Sequence, residues 1–154
     1  MAQVTINGIE ELKALVGQEV GVSDWFEVSQ DVIQAFADAT GDQQWIHVDV
    51  DRAKAESPFG GPIAHGLLTL SLGPVLMFQI FEVTGVAGGL NYGYGKVRFP
   101  APVPSGSKLR VRAAISSVEE VPGGVQATVT QTFEIDGGTK PVCVAEALVR
   151  FFGG

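Results

Sequence analysis

The chain has 154 residues, 45% of them hydrophobic, with a mean hydropathy of +0.24, a formal charge of −7 and a pI near 4.7. That length suits one buried core, so a single domain over residues 1–154 is expected, and the acidic balance without any Lys/Arg run excludes the electrostatic footprint of a nucleic-acid or anionic-membrane binder. Cys143 is the lone cysteine, which excludes an intrachain disulfide and a multi-cysteine metal site; with Glu10 and Glu11 interrupting any leader-like apolar run, a cytoplasmic location is expected.

In chain order, Ile9, Leu12, Leu15 and Val16 have the spacing of a short amphipathic helix ended by Gly17. Glu19–Val28 reads as a strand. Ser29 reads as an N-cap for a helix whose Val32, Ile33, Phe36 and Ala39 share one face, and which stops near Thr40-Gly41. Val50–Glu56 is a short polar helical turn, and Ser57–Pro62 is a breaker-rich loop. Gly66–Val83 carries no charge before Glu82. It is marginal in length for a membrane span, is interrupted by Gly73-Pro74 and contains Thr69, Ser71 and Gln79, so it is read as a helix buried in its own domain. After a turn at Gly85–Gly89, Leu90–Pro100 is read as a strand. Leu109, Val111 and Ala113 alternate with charged residues, as do Val125, Ala127, Val129, Gln131, Phe133 and Ile135 with polar ones, and Lys140–Phe152 makes a last strand. An antiparallel meander plus one buried helix is an α+β domain in which the sheet curls around the helix. The high apolar fraction further suggests that some apolar surface ends in a subunit interface or a ligand tunnel.

The chemistry-bearing residues concentrate between Gly41 and Gly66. Asp42 follows a helix end and precedes His47 by five positions, so a turn can bring carboxylate and imidazole to one water, which they could orient, deprotonate and reprotonate without a metal. Taken alone, the spacing fits a turn aspartate and a packed or surface histidine more simply than a catalytic pair. Gly66 opens the apolar helix, where unpaired backbone N–H groups can bind a developing oxyanion; as simple an alternative is a tight helix contact, with His65 a cap or packed residue. The two histidines with Asp49 and Asp51 match no familiar metal-ligand spacing, no serine sits in a nucleophile elbow, and Gly85–Gly95 lacks a dinucleotide-binding fingerprint. Lys96, Arg98, Lys108, Arg110 and Arg112 are the clustered cations that could meet phosphate groups, although Lys96 and Arg98 read more simply as ordinary solvated strand residues.

Two stretches carry a family resemblance. Ala39-Thr40-Gly41-Asp42-Gln43-Gln44-Trp45-Ile46-His47, with Gly61-Pro62-Ile63-Ala64-His65-Gly66-Leu67-Leu68, resembles the MaoC-like (R)-specific enoyl-CoA hydratases, whose motif runs Gly-Asp-x-Asn-Pro-apolar-His; Arg98–Val103 followed by Gly106 and Leu109 resembles a later strand and turn of that family. Gln44 stands where the motif has Asn and Trp45 where it has Pro. The resemblance implies a hot-dog fold, in which a curved antiparallel sheet wraps a long central helix, here Gly66–Val83, and two subunits pair as a homodimer. It implies reversible hydration of a trans-2-enoyl-CoA to an (R)-3-hydroxyacyl-CoA, with no metal or redox cofactor. Asp42 and His47 would hold the water, Asp42 would transfer the proton, and the Gly66 amide would bind the thioester oxygen. Gln44, Trp45, Ile63, Ala64, His65 and Leu67 are the substrate-binding positions it implies. Two alternatives accompany this reading: an acyl-CoA thioesterase, which needs water at the carbonyl, and a non-catalytic acyl-thioester-binding dimer partner.

Overall fold

The structure, a computed structural model, describes residues 2–153. Its elements in order are β1 (Val4–Asn7), α1 (Gly8–Ala14), β2 (Gln18–Val22), β3 (Phe26–Val28), α2 (Gln30–Thr40), α3 (Trp45–Val48), α4 (Val50–Glu56), α5 (Gly66–Ser71), α6 (Gly73–Ile80), β4 (Phe81–Thr84), β5 (Gly88–Arg98), β6 (Ser107–Val121), β7 (Gly124–Ile135) and β8 (Cys143–Phe152). The large sheet has the order β2-β6-β7-β8-β5, with β3 also on β6, and every pairing in it is antiparallel. Alternation builds it: Leu109, Val111, Ala113 and Ile115 of β6, and Val125, Ala127, Val129 and Phe133 of β7, all point inward and are buried. They close on Leu68, Leu76 and Ile80 of α5 and α6. The architecture is the α+β curved sheet over a central helix.

Three expectations need correction. The central helix does not run unbroken from Gly66 to Val83. Pro74 has no N–H to offer the Leu70 carbonyl, so α5 ends at Ser71 and α6 restarts with Pro74 in its first turn. Beyond Ile80 the run Phe81–Thr84 is extended and pairs in parallel with β1, a strand absent from the sequence reading. The single strand expected over Glu19–Val28 is two, both on β6. Between them the Ser23 hydroxyl accepts from the Val111 N–H at 3.0 Å, replacing a ladder partner where the chain bends. The first half of the chain thus supplies strands β1 to β4 rather than one.

The α2 boundaries follow the expected chemistry. Ser29 Oγ accepts from the Val32 N–H at 3.2 Å, and Gly41 closes the helix at φ 84°, a left-handed conformation that favours glycine. Ser29→Ala should therefore lower stability by about 1 kcal/mol, read as a shifted denaturant midpoint with unchanged slope.

The buried-helix expectation also holds on one side only. Leu67, Val75 and Phe78 form an outward stripe, 62%, 51% and 66% exposed, and on the edge strand β5 Leu90 and Tyr92 are likewise exposed. That is an apolar face that this chain does not itself cover. Among the described residues, no helix is long and apolar enough to cross a membrane.

Candidate active site

Asp42 lies in the four-residue connection between α2 and α3, and its placement is fixed from both sides. Gln43 Nε2 donates to Asp38 Oδ1 at 2.8 Å, and Gln34 bridges the same carboxylate and Gln43, tying the connection to the last turns of α2; these amide donors hold the Asp38 carboxyl below its usual range. The Gln44 N–H faces Asp42 Oδ1 at 3.4 Å, a turn contact that orients the exposed carboxylate through backbone rather than through the Gln44 side chain.

His47 sits in α3, buried, with Nδ1 2.7 Å from the Ile63 carbonyl. A carbonyl only accepts, so Nδ1 carries the hydrogen and Nε2 is left with its lone pair. Gln30 of α2 donates to the His47 carbonyl at 2.8 Å and fixes α3 against α2. Burial pushes the His47 pKa down, as does neighbouring His65; the Ile63 hydrogen bond and the Asp42 charge act in the opposite sense without overcoming them.

His65 immediately precedes α5. Its Nε2 donates to the Asp42 carbonyl at 3.0 Å, its ring stacks on His47 with centroids 3.8 Å apart and 23° between planes, and Phe36 closes the other side at 4.9 Å. One ring therefore links the aspartate-bearing turn, the His47 imidazole and the start of α5. His65 makes no side-chain cap bond to the helix, so the Gly66 and Leu67 N–H groups at the first turn have no intrahelical acceptor. A Cβ on Gly66 would meet the Phe99 ring at 3.1 Å, which places that ring directly over the helix start.

Asp42, His47 and His65 each offer a ligand-type atom, all within 4.8 Å of one another. Two of the ring nitrogens, His47 Nδ1 and His65 Nε2, are committed to carbonyls, and the rings lie stacked face to face, which leaves His47 Nε2, His65 Nδ1 and the Asp42 carboxylate as the free atoms of the set. Cys143 is no nucleophile, since burial pushes its thiol up to about 11.

The remaining expected positions divide. Ile63 and Ala64 join Gly66, Thr69, Phe99 and Val103 in lining a cavity of about 330 Å³ at the start of α5. Trp45 is half-buried beneath the Arg52 guanidinium, 4.2 Å from the ring centroid, which braces the loop where the family motif has proline. The Gln44 and Leu67 side chains are exposed. Sequence reasoning missed Gln30 and read Phe36 only as part of the apolar face of α2, because nothing local marks a helix residue as the neighbour of a histidine far along the chain; Phe99 was visible only within the Arg98–Val103 resemblance. Arg110 and Arg112 pair with Glu134 at 2.5 and 3.3 Å and so are occupied, leaving Lys108 on β6 and, on β5 beside Glu146, Lys96 and Arg98.

Comparison with known proteins places the chain in a family. The model of the MaoC like domain matches residues 11–135. The chain is 51% identical over 148 residues to 3-hydroxyacyl-thioester dehydratase Z of Mycobacterium tuberculosis, covering 96% of this chain and 97% of that one. It is 43% identical to nodulation protein N of Rhizobium meliloti, over 93% and 91% of the two chains. Among solved structures, the (R)-hydratase from A. caviae involved in PHA biosynthesis superposes with a TM-score of 0.71 at 26% identity, covering 87% of this chain and 94% of that one. By sequence and by fold alike, the chain belongs to the MaoC-like dehydratase family of hot-dog hydro-lyases.

Proposed function

We propose that the chain catalyses the reversible syn hydration of a trans-2-enoyl-CoA to an (R)-3-hydroxyacyl-CoA. The observation that carries this reading is the convergence of the Asp42 carboxylate with the buried His47 imidazole beside an uncapped helix start at Gly66. In the proposed reaction one water is held between Asp42 and His47 Nε2. Asp42 takes a proton from it as its oxygen attacks C3, and returns that proton to C2. Both new bonds form on the face where the water sits, which makes the addition syn. The Gly66 N–H donates to the thioester oxygen and stabilises the charge that builds there as C2 gains enolate character. Phe99 limits water at that oxygen and strengthens the contact.

The relatives' names support the reaction class, since dehydratase and hydratase name two directions of one equilibrium. The apolar cavities along α5 and α6 supply room for the acyl chain, and Lys96 and Arg98 are the cations proposed to meet the CoA phosphates. The uncovered stripe of Leu67, Val75 and Phe78 with the β5 edge supports a homodimer. A cytoplasmic location accords with the lone buried cysteine.

Mixing purified protein with crotonyl-CoA while following the ultraviolet absorbance of the conjugated thioester, with free thiol in parallel, tests the assignment. Loss of conjugation without thiol is expected; thiol release would indicate a thioesterase, and neither signal a binding partner. The reading also fixes a pH dependence. His47 must be neutral to present Nε2, and its pKa is lowered, so the acid limb of the kcat/KM profile should fall below the ordinary histidine value of 6.5. By the same shift, the unfolded chain binds the His47 proton more readily. The residue's contribution to stability is therefore full above 6.5 and is lost as the pH falls through the lowered value. An acid limb above 6.5 would contradict the buried, neutral imidazole.

A further inference from the structure

Gln131 occupies an inward slot of β7 otherwise filled by Val125, Ala127, Val129 and Phe133, and it is only 1% exposed. Its amide nitrogen has only the Met77 thioether, at 3.3 Å, and its carbonyl oxygen has no partner. A buried amide left in that state costs stability that an apolar residue in the same slot would not. The helix opposite is shaped to admit it. A Cβ at Gly73 would lie 2.8 Å from the Gln131 oxygen, so glycine, a poor helix former, is what leaves room for the carboxamide.

This side chain lines a cavity of about 550 Å³ between α6 and the sheet, walled by Met77, Phe78, Phe81, Leu90, Val149 and Phe151. Exposed Glu82 and Asn91 and half-buried Tyr94 also line it, and Gln131 is the fully buried polar side chain among its lining. Gly66 and Thr69 of α5 line the cavity at the proposed thioester site and Met77 of α6 lines this one, so the second cavity lies further along the pair of consecutive central helices. Gly73 lies seven positions after Gly66, roughly 10 Å at helical rise. A medium-length acyl chain anchored at Gly66 and directed along the helix reaches that depth.

We propose that Gln131 is a specificity-determining residue that selects acyl chains carrying a hydroxyl group several carbons from the thioester. This rests on the hydratase reading and deepens it. Turned from its place against Gly73 toward the cavity, the unpaired Gln131 oxygen accepts from that hydroxyl, and a plain alkyl chain leaves it buried and unsatisfied, which is the asymmetry by which polar sites reject analogues lacking the polar group.

The test compares kcat/KM for crotonyl-CoA, trans-2-octenoyl-CoA and 8-hydroxy-trans-2-octenoyl-CoA, using the unaltered protein and the Gln131→Met and Gln131→Leu variants. The unaltered protein is expected to favour the hydroxylated octenoyl thioester over the plain one by about tenfold or more. Both variants should remove or invert that ratio while crotonyl-CoA, too short to reach the cavity, is hydrated as before. Equal use of the two octenoyl thioesters by the unaltered protein would overturn the inference, as would variants that change both rates alike. The first of these outcomes needs no variant to fold. Were crotonyl-CoA itself not hydrated by the unaltered protein, the underlying assignment would fall, and the inference with it.

Discussion

Asp42→Asn is expected to lower kcat by at least about a hundredfold, the usual scale of a general acid–base contribution, while the protein stays folded. The substitution is close to isosteric, and the side chain it alters is exposed, so no buried group loses a partner. The Gln44 N–H can still meet the amide oxygen, and the Asp42 carbonyl that accepts from His65 is backbone and is untouched. What disappears is the capacity to take and return a proton. Steady-state hydration of crotonyl-CoA together with far-UV circular dichroism checks both halves. A folded Asp42→Asn protein with near-normal turnover would remove the carboxylate from the mechanism.

His47→Ala should be comparably inactive and, unlike Asp42→Asn, should also be destabilised. The imidazole is buried, donates to the Ile63 carbonyl at 2.7 Å and stacks on His65. Its removal leaves that carbonyl without its side-chain donor and opens a void beside His65, a loss of about 1–3 kcal/mol for the hydrogen bond alone. The pair of variants therefore separates chemistry from scaffolding. Both lose activity, but only His47→Ala shifts the denaturant midpoint. A His47→Ala protein of full stability would show that the ring is not packed as described.

Local chemistry made much of this arrangement legible in the sequence. Ser29 and Gly41 bound α2 through a hydroxyl acceptor and a left-handed glycine, both determined by residue type, and the alternation in β6 and β7 marks the inward face at every second residue. What escaped was non-local. Phe81–Thr84 continues the apolar run of α6 without a change of composition, and only its pairing with Val4–Asn7 at the other end of the domain makes it a strand. The break at Pro74 was visible, but the helix resumes so promptly that composition reads it as one segment.

The site divides in the same way. Asp42 and Gly66 could be singled out because one follows and the other opens an element, and His47 by its spacing of five positions from Asp42. His65 could not be tied to Asp42, since its bond is to a backbone carbonyl 23 positions earlier and backbone acceptors leave no mark in a sequence. Gln30, which supports His47, is hidden for the same reason. Gln131 was legible as an inward-facing position of β7, but that its oxygen is left unpaired depends on Met77 and Gly73 of a different element.

The most direct measurement runs the hydration of crotonyl-CoA in oxygen-18 water and locates the label by mass spectrometry, with chiral analysis of the product. The proposed mechanism predicts one labelled oxygen in the 3-hydroxyl of intact (R)-3-hydroxybutyryl-CoA. Label in a free carboxylate, with CoA released, would contradict it, and so would a product of the (S) configuration.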